Sequence, residues 1–322
     1  MKIPFTPVIY EHAARFVGRT PWEVSRDAEL LFEAHRRAYL EYRQQVIAVA
    51  IDIYNLEAEA YGAKVAASTP DAIPAIHQPL LSSIEEGMRL RPFDPGQDGR
   101  IAMMLAVGQR LKREFPGADV RLPVGGPFSI AFNLRGINNL CLDAALHPEQ
   151  LARMLMRLAE NQAALCRAVA QAGLDVAFFE SAAAPPILSP RQFHELEMPA
   201  LRRVLEIAAE CAGHPVPCIS GGNTYPVIDD ILSTGTNYVA CNVETDQAAF
   251  VERVSRTHPQ VKIRVNLDPG VVACHDPERI YRAIDHVLEI VGPRNNCVMG
   301  TGAMPLETPP ANIRLIREYL AN

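Results

Sequence analysis

The second half of the chain alternates between short apolar runs and longer segments whose apolar residues recur at helical spacing. Short apolar runs bounded by turn residues predict buried strands, and they lie at 176–179, 216–220, 238–242, 262–267 and 297–301. Helices are expected to begin at Ser189-Pro190, Asp276-Pro277 and Thr308-Pro309, where the first residue offers a capping oxygen and the proline a preset backbone angle. Repeated strand–helix units predict a parallel sheet.

The first half is less regular. An amphipathic helix is predicted over 27–45, a short strand over 46–53, a second helix over 97–114 and a second strand over 120–124. One long helix is expected between residue 143 and Gly173. Residues 1–26 and 54–95 read as irregular, and a stretch as long as the second is uncommon unless it covers a site.

A parallel sheet of this length either closes into a (β/α)₈ TIM barrel or stays open as a doubly wound fold. The G-x-G-x-x-G fingerprint of a dinucleotide-binding sheet does not follow an early strand, so the barrel is favoured, as one domain over residues 1–322. The active site of such a barrel lies at the C-terminal ends of its strands.

The composition of the chain argues against several classes of protein. With 48% hydrophobic and 21% charged residues the chain has an ordinary globular composition, and its net charge of −6 argues against nucleic acid as a partner. No apolar run is long enough to span a membrane, and the N-terminus lacks the apolar region of a secretory signal. Seven cysteines without C-x-x-C spacing predict reduced thiols and a cytoplasmic location.

Polar residues follow the predicted strands and are expected to line the barrel mouth, although any one of them could simply cap the next helix. They are Glu180, Ser220 with Asn223, Asn242 with Glu244, Asn266 with Asp268, and Thr301. Asp52 ends the strand predicted at 46–53 and is expected to join them. Tyr10, Glu11, His12 and Arg15 are further candidates, and His12 and His77 lie in irregular segments that could reach the mouth to bind substrate.

Acid–base chemistry has the better support among these residues. Glu180 follows an apolar run and Asp52 has a similar setting, so a raised pKa is expected for both. The alternative is that each carboxylate pairs with a buried arginine such as Arg15 or Arg264 and holds the fold together. A serine hydrolase is disfavoured because the G-x-S-x-G elbow is missing.

Metal chemistry depends on one thiol. Cys218 and Ser220 lie two residues apart on the strand before the turn Gly221–Thr224, and such neighbours share a face, so both are expected to point into one cavity. Zinc needs several Cys, His or carboxylate ligands. Cys218 and Glu180 are weak candidate ligands, and a site built from them with His12 or His77 stays open as an alternative.

Several segments together resemble the uroporphyrinogen decarboxylase superfamily over nearly the whole chain. They are Leu56–Ala63, Glu180–Ala184 followed by Leu188–Phe193, Gly221–Thr224, Val265–Pro269 and Glu307–Asn312. Within the superfamily the chain is more similar to the methylcobalamin:coenzyme M methyltransferase branch. The resemblance implies the barrel fold and a place for the family's strand-end acid near Asp52.

The same resemblance implies a zinc held by a His-x-Cys pair and a later cysteine in the methyltransferase branch. Cys218 and Ser220 stand in the place of the pair, and Gly302 in the place of the later cysteine. With two of these ligands missing, no zinc of the family type is expected. The Arg-Gln-Ala-Gly-Arg segment of the decarboxylase branch is replaced by His12–Arg19, so decarboxylation of a tetrapyrrole is not expected.

Three functions follow as hypotheses. The first is methyl transfer between a small substrate and a corrinoid protein or thiol, with Glu180, Cys218 and Asp52 as the catalytic candidates. Substrate would be held by Asn223, Asn242 and Asn266 with His12 and His77, and any corrinoid would come with a partner protein. The second is a cofactor-free decarboxylase or lyase acting on a small organic acid. The third is a binder of a small molecule or corrinoid without catalysis.

Overall fold

A computed structural model describes residues 3–321. Eight strands form the wall of a barrel, and every pairing between neighbours in the wall is parallel. They are β1 (Phe5–Val8), β2 (Val46–Ala48), β3 (Asp119–Gly125), β4 (Asp175–Glu180), β5 (Ile219–Ser220), β6 (Tyr238–Cys241), β7 (Lys262–Asn266) and β8 (Cys297–Ala303). The predicted TIM barrel is therefore confirmed.

The wall consists of two four-stranded sheets, in the orders β1-β8-β7-β6 and β2-β3-β4-β5. A single parallel bridge between Cys218 and Val239 joins β5 to β6. Within residues 3–321 no backbone pairing joins β1 to β2. We call this line between β1 and β2 the seam.

Helices surround the strands. The longer ones are α1 (Ala28–Tyr42), α2 (Ile101–Glu114), α3 (Pro127–Arg135), α4 (Ile137–Leu146), α5 (Pro148–Asn161), α6 (Ala163–Gln171), α7 (Met198–Ala212), α8 (Gln247–Thr257), α9 (Pro277–Val291) and α10 (Pro310–Ala321). Shorter α-helices occupy Pro21–Arg26, Leu56–Ala60, Ile84–Met88, Pro190–Gln192, Ile228–Leu232 and Pro269–Val272. Glu11–Val17, Ile53–Asn55 and Tyr225–Val227 form 3₁₀ turns, and a π-helical turn over Phe193–Glu197 precedes α7. No helix in the described part of the chain is both long and apolar enough to cross a membrane.

The core lies between the strands and the helices. In α5, Leu151, Met154, Leu155 and Leu158 are fully buried, which is the spacing of one helical face. Each such side chain contributes about 1.5–3 kcal/mol when it leaves water. This layer fixes the strands against their helices and thereby fixes which side chains can reach the barrel axis.

The predicted helix starts are partly confirmed. Ser189 accepts a hydrogen bond from the Gln192 amide, and Asp276 accepts one from the Glu278 amide, as capping residues do. The last helix begins at Pro310, and the buried hydroxyl of Thr308 has no hydrogen-bond partner in the described residues.

Four sequence expectations are corrected. Residues 5–8, read as irregular, form β1, and the stretch 54–95 contains two short helices and the antiparallel hairpin Val65–Ala66 with Ala75–Ile76. The helix expected between residue 143 and Gly173 is divided among the end of α4, α5 and α6, and at the break between α5 and α6 the Gln162 side chain donates to Glu57 and to the Gly125 carbonyl. Asp52 lies four residues beyond β2, which ends at Ala48, and so does not end a strand.

Candidate functional site

Side chains alternate between the two faces of a strand, and this alternation decides which strand-end residues face the barrel axis. In the pairing of β4 with β5, Phe179 is opposite Ile219 and Glu180 is opposite Ser220. Ile219 lines a cavity in the barrel lumen, and the Phe179 ring makes an edge contact with Tyr54, with centroids 5.4 Å apart. Since successive side chains of a strand point to opposite faces, Glu180 and Ser220 point toward the helices.

Glu180 caps a helix on that outer side. Its carboxylate accepts hydrogen bonds from the amides of Phe128 at 3.1 Å and Ser129 at 3.3 Å, at the start of α3, and from the Ser129 hydroxyl at 2.5 Å. The residue is 1% exposed. The structure thus places Glu180 under α3 rather than in the mouth, and its role in proton transfer stays a prediction.

Glu197 faces Glu180 from the turn before α7 and was not foreseen. Burial and the adjacent Glu180 carboxylate raise the pKa of Glu197 well above its usual range, and burial raises the pKa of Glu180. Neither carboxyl oxygen of Glu197 has a hydrogen-bond partner of ordinary geometry in the described residues. A protonated Glu197 that donates its proton to Glu180 satisfies both groups.

Cys218 lies in the same outer layer. Its Sγ is 3.7 Å from the Ser220 hydroxyl, the residue is 1% exposed, and burial raises the pKa of the thiol to about 12. The barrel-facing residues of this strand are instead Ile219 and, one step beyond it, Gly221, and neither carries a donor atom. A Cβ on Gly221 would stand 2.7 Å from the Ser181 carbonyl oxygen, so no cysteine fits there.

These positions do not fit the zinc that the resemblance implies. The thiol and hydroxyl expected to share a cavity face the helices, and the barrel-facing neighbours cannot ligate a metal. Over residues 3–321 no cluster of three or more His, Cys, Asp or Glu side chains is arranged to hold a metal ion. His12, His77, Glu180 and Cys218 therefore do not assemble the alternative metal site.

Asp52 is buried beside an arginine, as expected if it serves to hold the fold together. Its partner is Arg100 and not Arg15 or Arg264. The Arg100 Nη2 is 2.5 Å from Asp52 Oδ2, and its Nε is 2.8 Å from Glu59 Oε2. Asn55 donates a further hydrogen bond to Asp52 at 3.1 Å. Asp52 thus joins the loop after β2 to the start of α2 and does not line the mouth.

Asn242 and Asn266 do come together, in a chain of amides that runs across β7, β6 and β5. Arg264 Nε donates to Asn266 Oδ1 at 3.0 Å, Asn266 Nδ2 donates to Asn242 Oδ1 at 2.9 Å, and Asn242 Nδ2 donates to the Ser220 carbonyl at 2.8 Å. Each amide is oriented by its neighbour. The guanidinium of Arg264, at one end of this series of hydrogen bonds, lies in the barrel lumen.

The two histidine candidates lie in different settings. His12 is fully buried, with Nε2 2.9 Å from the Tyr42 hydroxyl and Nδ1 3.3 Å from the Pro305 carbonyl, and burial lowers its pKa to about 4. It is a neutral link between α1 and the loop after β8. His77 is exposed beside the short hairpin, and its Nε2 is 3.1 Å from the Ala66 carbonyl.

Asn223, Glu244 and Asp268 lie in loops at the C-terminal end of the strands. Asn223 is half-buried and accepts a hydrogen bond from the Tyr225 amide at 3.3 Å. Glu244 is exposed, and Asp268 caps the short helix after β7 through the Gly270 amide. The Thr301 hydroxyl is buried and accepts from the Val8 amide at 3.0 Å. Of these residues, Asn223 and Glu244 have side chains that remain available to a substrate.

The acid at the mouth is Glu11, in the 3₁₀ turn after β1. Burial, reinforced by the neighbouring Glu307 carboxylate, raises its pKa to about 7. Its carboxyl group makes no hydrogen bond to another residue in the described part of the chain, and it is close enough to Tyr10 and Tyr54 to raise the pKa of each phenol. Glu11 was among the sequence candidates, but no local pattern distinguished it from Glu180.

Tyr54, Ser181 and Arg264 complete the group around Glu11, and none of them was predicted to lie in the mouth. Tyr54 follows β2, and the residue as a whole is 40% exposed. Burial of its hydroxyl, with smaller effects of Tyr10 and Glu11, raises the pKa of the phenol, while a hydrogen bond with Ser181 and the charge of Arg264 lower it. We refer to Glu11, Tyr10, Tyr54, Ser181 and Arg264 as the mouth cluster. It combines a proton donor, phenols, a hydroxyl and a cation.

Comparison with known proteins shows where this fold belongs. No curated protein matches the chain at a significant level. Among solved structures, a methyltransferase from Methanosarcina mazei has a TM-score of 0.84 at 17% identity, over 99% of this chain and 94% of the other. A B12-independent methionine synthase from Shewanella sp. W3-18-1, in complex with selenomethionine, has a TM-score of 0.56 at 10% identity, over 92% and 88%.

At these identities the two structures support the barrel fold alone. The family comparison reaches further, since the model described as Uroporphyrinogen decarboxylase (URO-D) matches residues 2–322, which is nearly the whole chain. Together with the eight-stranded parallel barrel, this match confirms the resemblance seen in the sequence. The chain belongs to the uroporphyrinogen decarboxylase family.

Proposed function

We propose that this protein is an enzyme of the uroporphyrinogen decarboxylase superfamily that transfers a proton to a small organic acid at the barrel mouth, in a decarboxylation or related lyase reaction. The observation that carries the proposal is Glu11, whose pKa of about 7 lets it hold or release a proton at neutral pH. A carboxyl group poised in this way within a concave mouth is a candidate general acid.

The chemistry can be assigned to the mouth cluster. In decarboxylation the bond between a carbon atom and the substrate carboxylate breaks, its electron pair stays on that carbon, and CO₂ leaves. Glu11 then gives its proton to the carbon. Arg264, which pairs with no carboxylate in the described residues, stabilises the negative charge, and Tyr54, Ser181 and Asn242 orient the substrate. The substrate must be able to hold the electron pair, as a carbon next to a carbonyl group can.

The test is turnover by the Glu11→Gln variant. The wild type is incubated with a panel of small keto acids and dicarboxylic acids, and released CO₂ is measured. We expect the variant to lose about 10²–10⁴-fold in rate, which is the usual contribution of a positioned acid. Glu210→Gln, which changes an exposed carboxylate near the end of α7, is the matched control. Full activity of Glu11→Gln would exclude this mechanism.

Methyl transfer is the second candidate, and the specific observation in its favour is the fold similarity to the Methanosarcina mazei methyltransferase. Without the family's zinc ligands, Glu11 would protonate the atom from which the methyl group departs. Cob(I)alamin and small methylated compounds are the probes, and the appearance of methylcobalamin in the absorbance spectrum is the readout. Methylcobalamin formation without CO₂ release would favour this reaction over decarboxylation.

A further inference from the structure

The barrel lumen contains a cavity that shares Tyr10 and Arg264 with the mouth cluster and extends from them to the N-terminal end of the strands. Its volume is about 360 Å³, within the range of about 300–1,000 Å³ that small-molecule sites occupy. All eight strands of the wall contribute to its lining. The entrance lies at the N-terminal end of the strands, where Gln45, Asn237, Gln260 and Lys262 line the cavity and are exposed.

The charges in this cavity are unbalanced. Three cations line it, Arg121, Lys262 and Arg264, against one carboxylate, Asp119. Asp119 is already paired with Arg121, whose Nη2 is 2.6 Å from Asp119 Oδ2, and Asp175 adds a contact to the same nitrogen at 3.6 Å. Arg264 donates to the Asn266 amide and is hydrogen-bonded to the Tyr238 phenol, and no described carboxylate pairs with Arg264 or Lys262.

An arginine inside a protein is normally paired, because an uncompensated charge away from bulk water is costly. Arg264 stands in the middle of the lumen with the phenols of Tyr10 and Tyr238 close enough to feel its charge. Both phenols line the cavity and can donate hydrogen bonds. Beyond the Asn266 amide and the Tyr238 phenol, the guanidinium keeps further N–H donors, and no carboxylate of the described residues pairs with them.

We propose that the lumen binds a small organic carboxylate that enters from the N-terminal end of the barrel. The carboxylate lies against the guanidinium of Arg264 and between the phenols of Tyr10 and Tyr238, and Lys262 takes a second negative charge near the entrance. The remaining wall is apolar, with Val46, Ala177, Ile219 and Val298, and this suits a carbon skeleton better than inorganic phosphate.

Calorimetric titration measures binding without any turnover, and because Arg264 also belongs to the mouth cluster, the lumen variant Ala177→Met separates this site from substrate binding at the mouth. Succinate, citrate, phosphate and, as a neutral analogue, dimethyl succinate are titrated separately into the full-length protein. We expect succinate or citrate to bind, dimethyl succinate not to bind, and phosphate to bind more weakly than either acid. Added salt should weaken binding, since the interaction is ionic.

Two variants locate the ligand. Arg264→Met removes the cation and is expected to weaken binding by at least about tenfold, because a charge-assisted pair is lost. Ala177→Met leaves every charge in place and fills the lumen, so it should abolish binding. Arg256→Met, which changes an exposed arginine of α8 that forms no ion pair in the described residues, should bind as the wild type does.

Circular dichroism first confirms that each variant is folded, and Arg264→Lys serves as a charge-conserving replacement if Arg264→Met is not. Partial retention of affinity in Arg264→Lys supports the site. The proposal is overturned if no carboxylate binds the folded wild type, if phosphate binds more tightly than the acids, or if Ala177→Met binds as tightly as the wild type.

Discussion

Asp52 and Arg100 form a buried ion pair, 2.5 Å between Oδ2 and Nη2, that joins the loop after β2 to the start of α2. Arg100 also reaches the Ser25 carbonyl at 3.2 Å, so one guanidinium connects three segments. Removing one partner leaves the other as an uncompensated buried charge. The pair therefore contributes to folding, and the sequence alone presented Asp52 as a catalytic candidate.

The first prediction concerns this pair. We expect Arg100→Met to lower the free energy of unfolding by about 3–5 kcal/mol, the usual cost of leaving a buried charge unpaired. Urea denaturation at pH 7 measures it. Arg191→Met, which breaks the exposed pair of Arg191 with Glu195, is the control and should change stability by about 0–1 kcal/mol. A small effect of Arg100→Met would mean that solvent reaches Asp52.

The second prediction concerns the buried acids Glu180 and Glu197. Because the pKa of Glu197 is higher in the folded state, the folded protein holds this proton more tightly than the unfolded chain. Its contribution to stability is complete below the unfolded pKa of 4.5 and is lost as the pH rises toward the folded pKa. Glu197→Gln keeps a hydrogen-bond donor toward Glu180 without the ionisable proton.

We therefore expect Glu197→Gln to gain stability over the wild type as the pH rises above 4.5, by up to about 1.4 kcal/mol per pH unit. Denaturation curves between pH 5 and pH 8 give the difference. Glu195→Gln, on the exposed side of the same turn, should show no such trend. Parallel stability curves for wild type and Glu197→Gln would show that Glu197 is ionised in the folded protein.

The third prediction is the pH dependence of activity. A general acid must be protonated, so kcat/KM should be constant well below pH 7 and fall above it as Glu11 ionises. Glu307→Gln removes a charge that raises the pKa of Glu11, and it should move the midpoint of this fall to lower pH. An unchanged midpoint in Glu307→Gln would assign the observed ionisation to another group.

The fourth prediction concerns Cys218 and metal. A thiol that is 1% exposed, with a pKa raised to about 12, should not react with a thiol reagent in the folded protein, whereas the exposed Cys141 should. Mass spectrometry of the labelled protein distinguishes them. Protein purified without chelator should contain well below one zinc per chain, and Cys218→Ala should leave that content unchanged. One zinc per chain, lost in Cys218→Ala, would restore metal-activated methyl transfer.

The barrel could be predicted from the sequence because its later strands are apolar runs separated by capped helices. The boundaries of the later strands agree closely; the strand predicted at 238–242 is Tyr238–Cys241. β1 could not be predicted, since Phe5–Val8 is four residues long and contains a proline. Its place in the wall depends on pairing with β8, nearly three hundred residues away, and no local pattern records that contact.

The site was harder to predict than the fold because successive side chains of a strand point to opposite faces of the sheet. An error of one residue in the assumed face moved Glu180 and Cys218 from the helix side to the lumen, while Ile219 and Gly221 took the opposite place. The positions of Asn242 and Asn266 were predicted correctly, because both follow or end a strand at a residue whose side chain faces the lumen. Glu11 could not be ranked, since its raised pKa comes from burial and from Glu307, which is distant in the chain.

The seam between β1 and β2 has a mechanical consequence. At other joints of the wall, separating two strands would break ladder hydrogen bonds, each worth about 0.5–1.5 kcal/mol net. At the seam, no backbone ladder joins the two strands within the described residues. Thr6 and Ala48 stand on its two sides, and both line the lumen. Separating β1 from β2 therefore breaks no ladder hydrogen bond in the described residues, and the resistance of the wall to widening is lowest along this line.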